Sequence, residues 1–298
     1  MSIKKLALLL AVFAAACVGV ATAHAQNNRT FVSNAGVAGN TSLGCSAASP
    51  CDTFVNALSV TNSGGEINCL DAGDFKPVTI TQAVTINCEG ASNGGITASR
   101  IAAITVNTSS PVNLIGLDIN GLNAAGGNGV YIESNGVVNI RNCKIHGFLG
   151  GGGLTGTAIV FAPASSGGNL VVDNVLLANN FEGIWQYTLA GASNMTVGNS
   201  NINNISGGAG ILLTVNGGSG GTHAGATIEQ STLAFNGYGL SVDNPGAVAL
   251  IGGSTVVNNT GYGVATDGGT VYSFKNNQIG GNATDGTPLT AYPGGPLN

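Results

Sequence analysis

The sequence predicts an all-β chain, a right-handed parallel β-helix of roughly nine coils with a short N-terminal capping helix. Three observations carry that prediction: a repeated apolar spacing, a second apolar strand after each polar turn, and a composition nearly free of charge. The repeat is apolar-x-Asn-x-x-apolar. It reads Ile140-x-Asn142-x-x-Ile145, Val172-x-Asn174-x-x-Leu177 and Val197-x-Asn199-x-x-Ile202. It continues as Ile228-x-Gln230-x-x-Leu233, Ile251-x-Gly253-x-x-Val256 and Phe274-x-Asn276-x-x-Ile279, with Leu114-x-Gly116-x-x-Ile119 as a degenerate earlier copy. Copies stand 23 to 32 residues apart, enough for short strands and turns but not for a helix in each unit.

The second strand follows each polar turn. Gly129-Val130-Tyr131-Ile132, Ala158-Ile159-Val160-Phe161 and Gly183-Ile184-Trp185-Gln186 are the first three, and Gly210-Ile211-Leu212-Leu213 begins the next three. Coils stacked at about 4.8 Å make a rod about 43 Å long and pair each backbone with the coils above and below. The Asn column is expected to point inward at a turn, where Asn tolerates left-handed backbone angles and stacked amides bond as a ladder.

Charged residues are only 7% of the chain, so the surface must be built from Asn, Ser, Thr and Gly. Lys4 and Lys5, the apolar run Leu6 to Val20 and Ala23-His24-Ala25 read as an export signal over residues 1–25. The run is too short to span a bilayer, and no membrane insertion is expected once the signal is cut. Its removal would leave 6 basic and 13 acidic side chains, net −7, without an electrostatic footprint for nucleic acid. In an exported chain, Cys45 with Cys51 and Cys69 with Cys88 are expected to form two disulfides, leaving Cys143 as a buried thiol. No metal site is expected, since only His146 and His223 remain and neither has ligand spacing. The domain reading is signal 1–25, N-terminal cap 26–66, β-helix 67–282 and irregular tail 283–298.

The N-terminal part carries a resemblance. Pro50-Cys51-Asp52-Thr53-Phe54-x-x-Ala57-Leu58 precedes Gly64-Gly65-Glu66-Ile67-x-Cys69-Leu70, followed by Val84-Thr85-Ile86-x-Cys88-x-Gly90. This resembles the opening segment of the pectate-lyase-like, right-handed β-helix superfamily, in which a short helix plugs the open end. Here Asp52 or Thr53 would cap that helix. Together with the repeats, the resemblance spans most of residues 29–282. The superfamily hosts lyases, hydrolases and non-enzymes, so it implies fold more than activity.

A lyase reading implies an Arg or Lys base near acidic calcium ligands, with Ca2+ needed only in that case. Aligning the repeats puts Asp118 beside Lys144 and Asp173 beside Arg141, with His146 two residues on. These candidates fit general-base work on an acidic sugar, and equally cross-strand charge pairing on an exposed face. The hydrolase motifs Asn-Thr-Asp, Asp-Asp, Gly-His-Gly and Arg-Ile-Lys are absent, although Asp243 and Asp267 share a register. Gly150 to Gly153 lacks a Lys and makes no phosphate cradle.

Strand alternation turns Val130, Ile159, Ile184 and Ile211 inward and Tyr131, Val160, Trp185 and Leu212 outward. Glu133 and Tyr187 share that outward face. Aromatic rings in a row beside an acid hold sugar rings, and loops Pro163–Asn169, Leu189–Asn194 and Asn216–Gly225 are expected to wall a groove. The same loops folding over Trp185 would instead make a satellite core. The preferred expectation is an exported, non-catalytic polysaccharide-binding protein using Tyr131, Glu133, Trp185 and Tyr187. A polysaccharide lyase and a structural or adhesive surface protein are the alternatives.

Overall fold

The computed structural model describes residues 27–91, 93–150, 154–216, 221–286 and 289–293. The predicted export signal lies outside them. Apolar residues at alternate positions give each strand one face to bury, and three strands per coil close around one core. In every coil the chain visits a first, a second and a third sheet in turn. The first sheet has eleven strands, from Asn27–Val32 to Thr290–Ala291. The second runs in nine strands from Gly73–Asp74 to Gln278–Gly280, and the third in nine from Val78–Ile80 to Thr284–Gly286. Successive coils pair in parallel throughout these sheets. Parallel strands joined this way turn right-handed. The nine-coil right-handed parallel β-helix read from the sequence is the observed fold.

The two apolar positions of the repeat form two walls of the core. Ile140 and Val172 are buried on the first sheet, Ile145 and Leu177 on the second. The third wall is Val130, Ile159, Ile184 and Ile211, also buried. Glycine recurs just before this wall because coils approach closely there. A Cβ on Gly183 would collide with the Gly210 carbonyl oxygen.

The Asn column does not point inward. Asn142, Asn174 and Asn199 adopt left-handed φ of 54°, 52° and 51° and are exposed. Asn174 Nδ2 donates to Asn142 Oδ1 at 2.8 Å, so a short amide ladder exists, but on the outside. A left-handed residue reverses the corner, and it is the next residue that turns in. Ser231 Oγ accepts from the Ser200 amide and Ser254 Oγ from the Ser231 amide, both at 3.2 Å. Each of these serines donates to the carbonyl two residues back, Glu229 and Gly252. Cys143 occupies the same rung. Its Sγ accepts from the Leu117 amide at 3.4 Å and donates to the Arg141 carbonyl at 3.1 Å. Burial pushes the thiol up to about 11, which keeps it protonated and unreactive. Cys143→Ser is therefore expected to shift stability by less than about 1 kcal/mol, and Cys143→Val to cost about 1–2 kcal/mol through the orphaned Leu117 amide. Urea midpoints of both variants check this, and equal costs would sink the ladder account.

The next corner carries an inward asparagine ladder. Asn236, Asn259 and Asn282 follow the left-handed residues Phe235, Asn258 and Gly281. Asn259 Oδ1 accepts from the Asn236 amide and Asn282 Oδ1 from the Asn259 amide, both at 3.0 Å. Stacked coils thus satisfy their buried corner amides with the side chain of the following coil.

The helix Phe54–Ser59 covers the N-terminal end and buries Phe54 and Ala57, with the Phe54 ring 5.2 Å from Phe75. Thr53, rather than Asp52, is its N-cap and accepts from the Asn56 amide at 3.2 Å. Disulfides join Cys45 to Cys51 and Cys69 to Cys88, the latter linking the first two coils. Two boundaries differ from the sequence reading. The strand Thr61–Cys69 starts the first coil before residue 67, and Thr284–Gly286 and Thr290–Ala291 pair with preceding coils where an irregular tail was expected.

Candidate functional site

The third sheet carries Tyr131, Trp185, Tyr187, Tyr238 and Tyr262. Tyr131, Val160, Trp185, Leu212, Ser241 and Ala265 stand in one register across six coils, about 24 Å at strand spacing. Trp185 is half-buried. Its Nε1 donates to Thr214 Oγ1 at 2.8 Å, and its ring centre lies 5.9 Å from that of Tyr187 at a 40° tilt. The indole is neither loose nor core. Its Nε1 edge is tied to Thr214, and buried Val160 flanks it in register. Burial, then the nearby charge of Glu133, raises the Tyr131 hydroxyl above its usual value. Glu133 itself is exposed just beyond the strand.

The connections expected to wall the face are shorter than the sequence suggested. Strands of the first sheet occupy Gly168–Asp173, Ala192–Gly198 and His223–Glu229, so the connections shrink to 162–167, 189–191 and 216–222. Within the last of these, residues 217–220 lie outside the described ones.

Further along the same face is a groove of about 540 Å³ lined by Tyr238, Ser241, Asp243, Tyr262 and Asp267. Tyr238 and Tyr262, 40% and 45% exposed, stack nearly parallel, with centroids 6.0 Å apart and planes 6° off. Asp243 and Asp267 are register partners on adjacent strands. Burial raises the Asp243 carboxyl, its hydrogen bond from Ser241 opposes this, and the Asp267 charge adds to the rise. Glu182, at the head of its strand, is 7% exposed and accepts from the Ala209 amide at 2.8 Å. Burial pushes it up to about 7, against that hydrogen bond and helped by the Asp243 charge. Sequence reasoning passed over Glu182, Tyr238 and Tyr262. All three share one column of the third sheet, so repeat alignment carried the signal.

The predicted charged cluster is divided by a corner. Lys144 and Asp118 are register partners on the second sheet, with Nζ and Oδ2 3.8 Å apart, and His146 Nε2 lies 2.9 Å from Asp118 Oδ1. They line an open groove of about 420 Å³ with Asp74, Thr97 and Asn120. Arg141 and Asp173 are register partners on the first sheet, beyond the Asn142–Cys143 corner. There Asp173 accepts from Asn199 Nδ2 at 2.8 Å, and Arg141 makes no ion pair among the described residues. The two halves do not form one compact site. A calcium ion, as a lyase reading would bring, needs converging oxygen ligands, chiefly carboxylates. Among the described residues no three Asp, Glu, His or Cys side chains are grouped so as to hold a metal ion.

A family model described as right handed beta helix region matches residues 82–279. The chain belongs to that family. No curated protein matches it in sequence. Among solved structures, this right-handed β-helix protein is similar to one titled "Crystal structure of pectate lyase Pel9A", with a TM-score of 0.62 and 14% identity. The match covers 85% of this chain and 69% of that one. At that identity the likeness is one of fold. It supports the right-handed parallel β-helix architecture.

Proposed function

We propose that this right-handed β-helix protein is exported and binds a polysaccharide chain, without cleaving it, along the outer face of the third sheet. The observation that carries the reading is Trp185, half-buried on this face beside Tyr187, in register with Tyr131 two coils away and tied by its Nε1 to Thr214. A partly exposed indole beside Tyr187 offers aromatic surface on which the C–H faces of sugar rings can stack. One coil spacing is close to the length of one pyranose unit, so successive sugars meet equivalent positions on successive coils. The two disulfides and the signal-like N-terminus support an oxidising, exported location.

Trp185 is the sole tryptophan, so its fluorescence reports this face directly. Titration of the protein with neutral plant and bacterial glycans is expected to give a saturable change for one of them. Tyr187→Ala is expected to weaken that glycan at least about tenfold, since aromatic anchors dominate such contacts. A flat response to every glycan tested would remove the reading.

The Asp118, Lys144 and His146 contacts favour a second reading, a polysaccharide lyase with its base on the second sheet. That reading requires release of unsaturated sugar ends, abolished in Lys144→Ala. Its absence leaves the binding function in front.

A further inference from the structure

The third sheet is electrostatically one-sided. Its nine strands, among the described residues, contain no Lys, Arg or His, whereas Glu182, Asp243, Asp267 and Asp285 all fall within them. Basic groups lie on the other sheets, as with Arg29, Arg141, Lys144 and His146. Lys76 and Arg100 sit in turns beside the first two strands, and Lys76 is already engaged by Asp74 at 2.6 Å. Glu133 adds another exposed carboxylate next to Tyr131. Past Trp185 its register column continues through Leu212 to Ser241 and Ala265, and the last two line the groove of Tyr238, Tyr262, Asp243 and Asp267.

We infer that this face selects glycans without acidic groups and turns away polyuronates. The inference rests on the binding face proposed above and names the class of chain it accepts. A sugar carboxylate laid across Asp243 and Asp267 meets two like charges and no cation to balance them, and like-charge juxtaposition is a strong means of rejection. A neutral pyranose needs only C–H faces against the rings and hydroxyls that donate to the carboxylates. An amino-bearing sugar gains further, because its ammonium meets both the carboxylates and the π-faces of Tyr238 and Tyr262. The expected order is therefore amino-bearing, then neutral, then uronate. Salt compresses it, since these charges are partly exposed.

The test is a Trp185 fluorescence titration of the full chain with three soluble glycans long enough to span Trp185 and Tyr262: a neutral chain, its amino-bearing counterpart and a polyuronate. At low salt the polyuronate is expected to bind at least about tenfold more weakly than the neutral chain. That gap should narrow in Asp243→Asn/Asp267→Asn and at high salt, and the preference for the amino-bearing chain should disappear in the same variant. Asp267→Asn alone, at an exposed position, serves if the double variant melts early. Polyuronate binding as tight as the neutral chain, and lost in Tyr187→Ala, would overturn the selectivity while leaving the binding face intact. A Trp185 signal silent to all three chains would defeat the binding face, and the selectivity with it.

Discussion

Asn236→Leu is expected to cost about 3–5 kcal/mol of unfolding free energy, read as a large drop in the urea midpoint. Asn236 is 1% exposed and joins two coils at their second corner. Its Oδ1 accepts from the Ile205 amide and its Nδ2 donates to the Ile202 carbonyl, each at 3.1 Å. Leucine has the same branching at Cγ and is somewhat larger, so no cavity opens while two buried backbone groups lose their partners. Each such orphan costs about 1–3 kcal/mol. The neighbouring rung shows that volume is not the issue, because Ile205 fills it with an apolar side chain. The corner amide of Ile205 itself still donates to Asn236 Oδ1, one coil on. Asn258→Ala, one corner position away, removes only an exposed residue suited to left-handed angles and is expected to cost about 1 kcal/mol. Similar midpoints for the two variants would rule out the inward ladder as the element that holds the coils in register.

Glu182→Gln is expected to flatten the pH dependence of stability. The ordinary carboxyl value is 4.5, and in the fold burial raises Glu182 to about 7. Between those values the folded protein holds a proton that the unfolded chain has released. Stability therefore falls as pH rises from about 4.5 to about 7, and the loss is complete above that window. Its size is on the order of 3 kcal/mol at pH 8, because each tenfold change in proton affinity is worth about 1.4 kcal/mol. Glutamine retains an oxygen to accept from the Ala209 amide and carries no charge. The variant should match the parent near pH 5 and exceed it at pH 8 by about that amount. Asp243, raised in the same direction, leaves a smaller residual slope. Parallel stability curves across pH 5 to 8 would mean that Glu182 is solvated in the folded protein.

Much of this architecture was legible because a solenoid writes its walls as a repeat. The spacing of Ile140 and Ile145 places one residue on each of two sheets, and the strand led by Val130 supplies the third. The corners were harder. Periodicity marks where a corner lies but not which of two adjacent residues turns inward, so Asn142 was expected inside and Cys143 took that place. The same ambiguity joined Arg141 and Lys144 into one cluster, although a left-handed residue between them sends their strands to different sheets. On the third sheet, alternation placed Tyr131 and Trp185 on one face because no corner intervenes. Glu182 was passed over because its burial comes from the packing of adjacent coils, which apolar spacing alone does not contain.

Covalent ties in this molecule are unevenly distributed. Both disulfides fall within residues 45–88, while the later coils are joined only by their stacking. In a structure where each layer touches only its neighbours, disorder spreads layer by layer. The cross-linked end then acts as a retained template. Heat or mechanical load that strips the later coils leaves a seed with its strand edges already in register, onto which the remainder can rewind without a fresh search for the first turn.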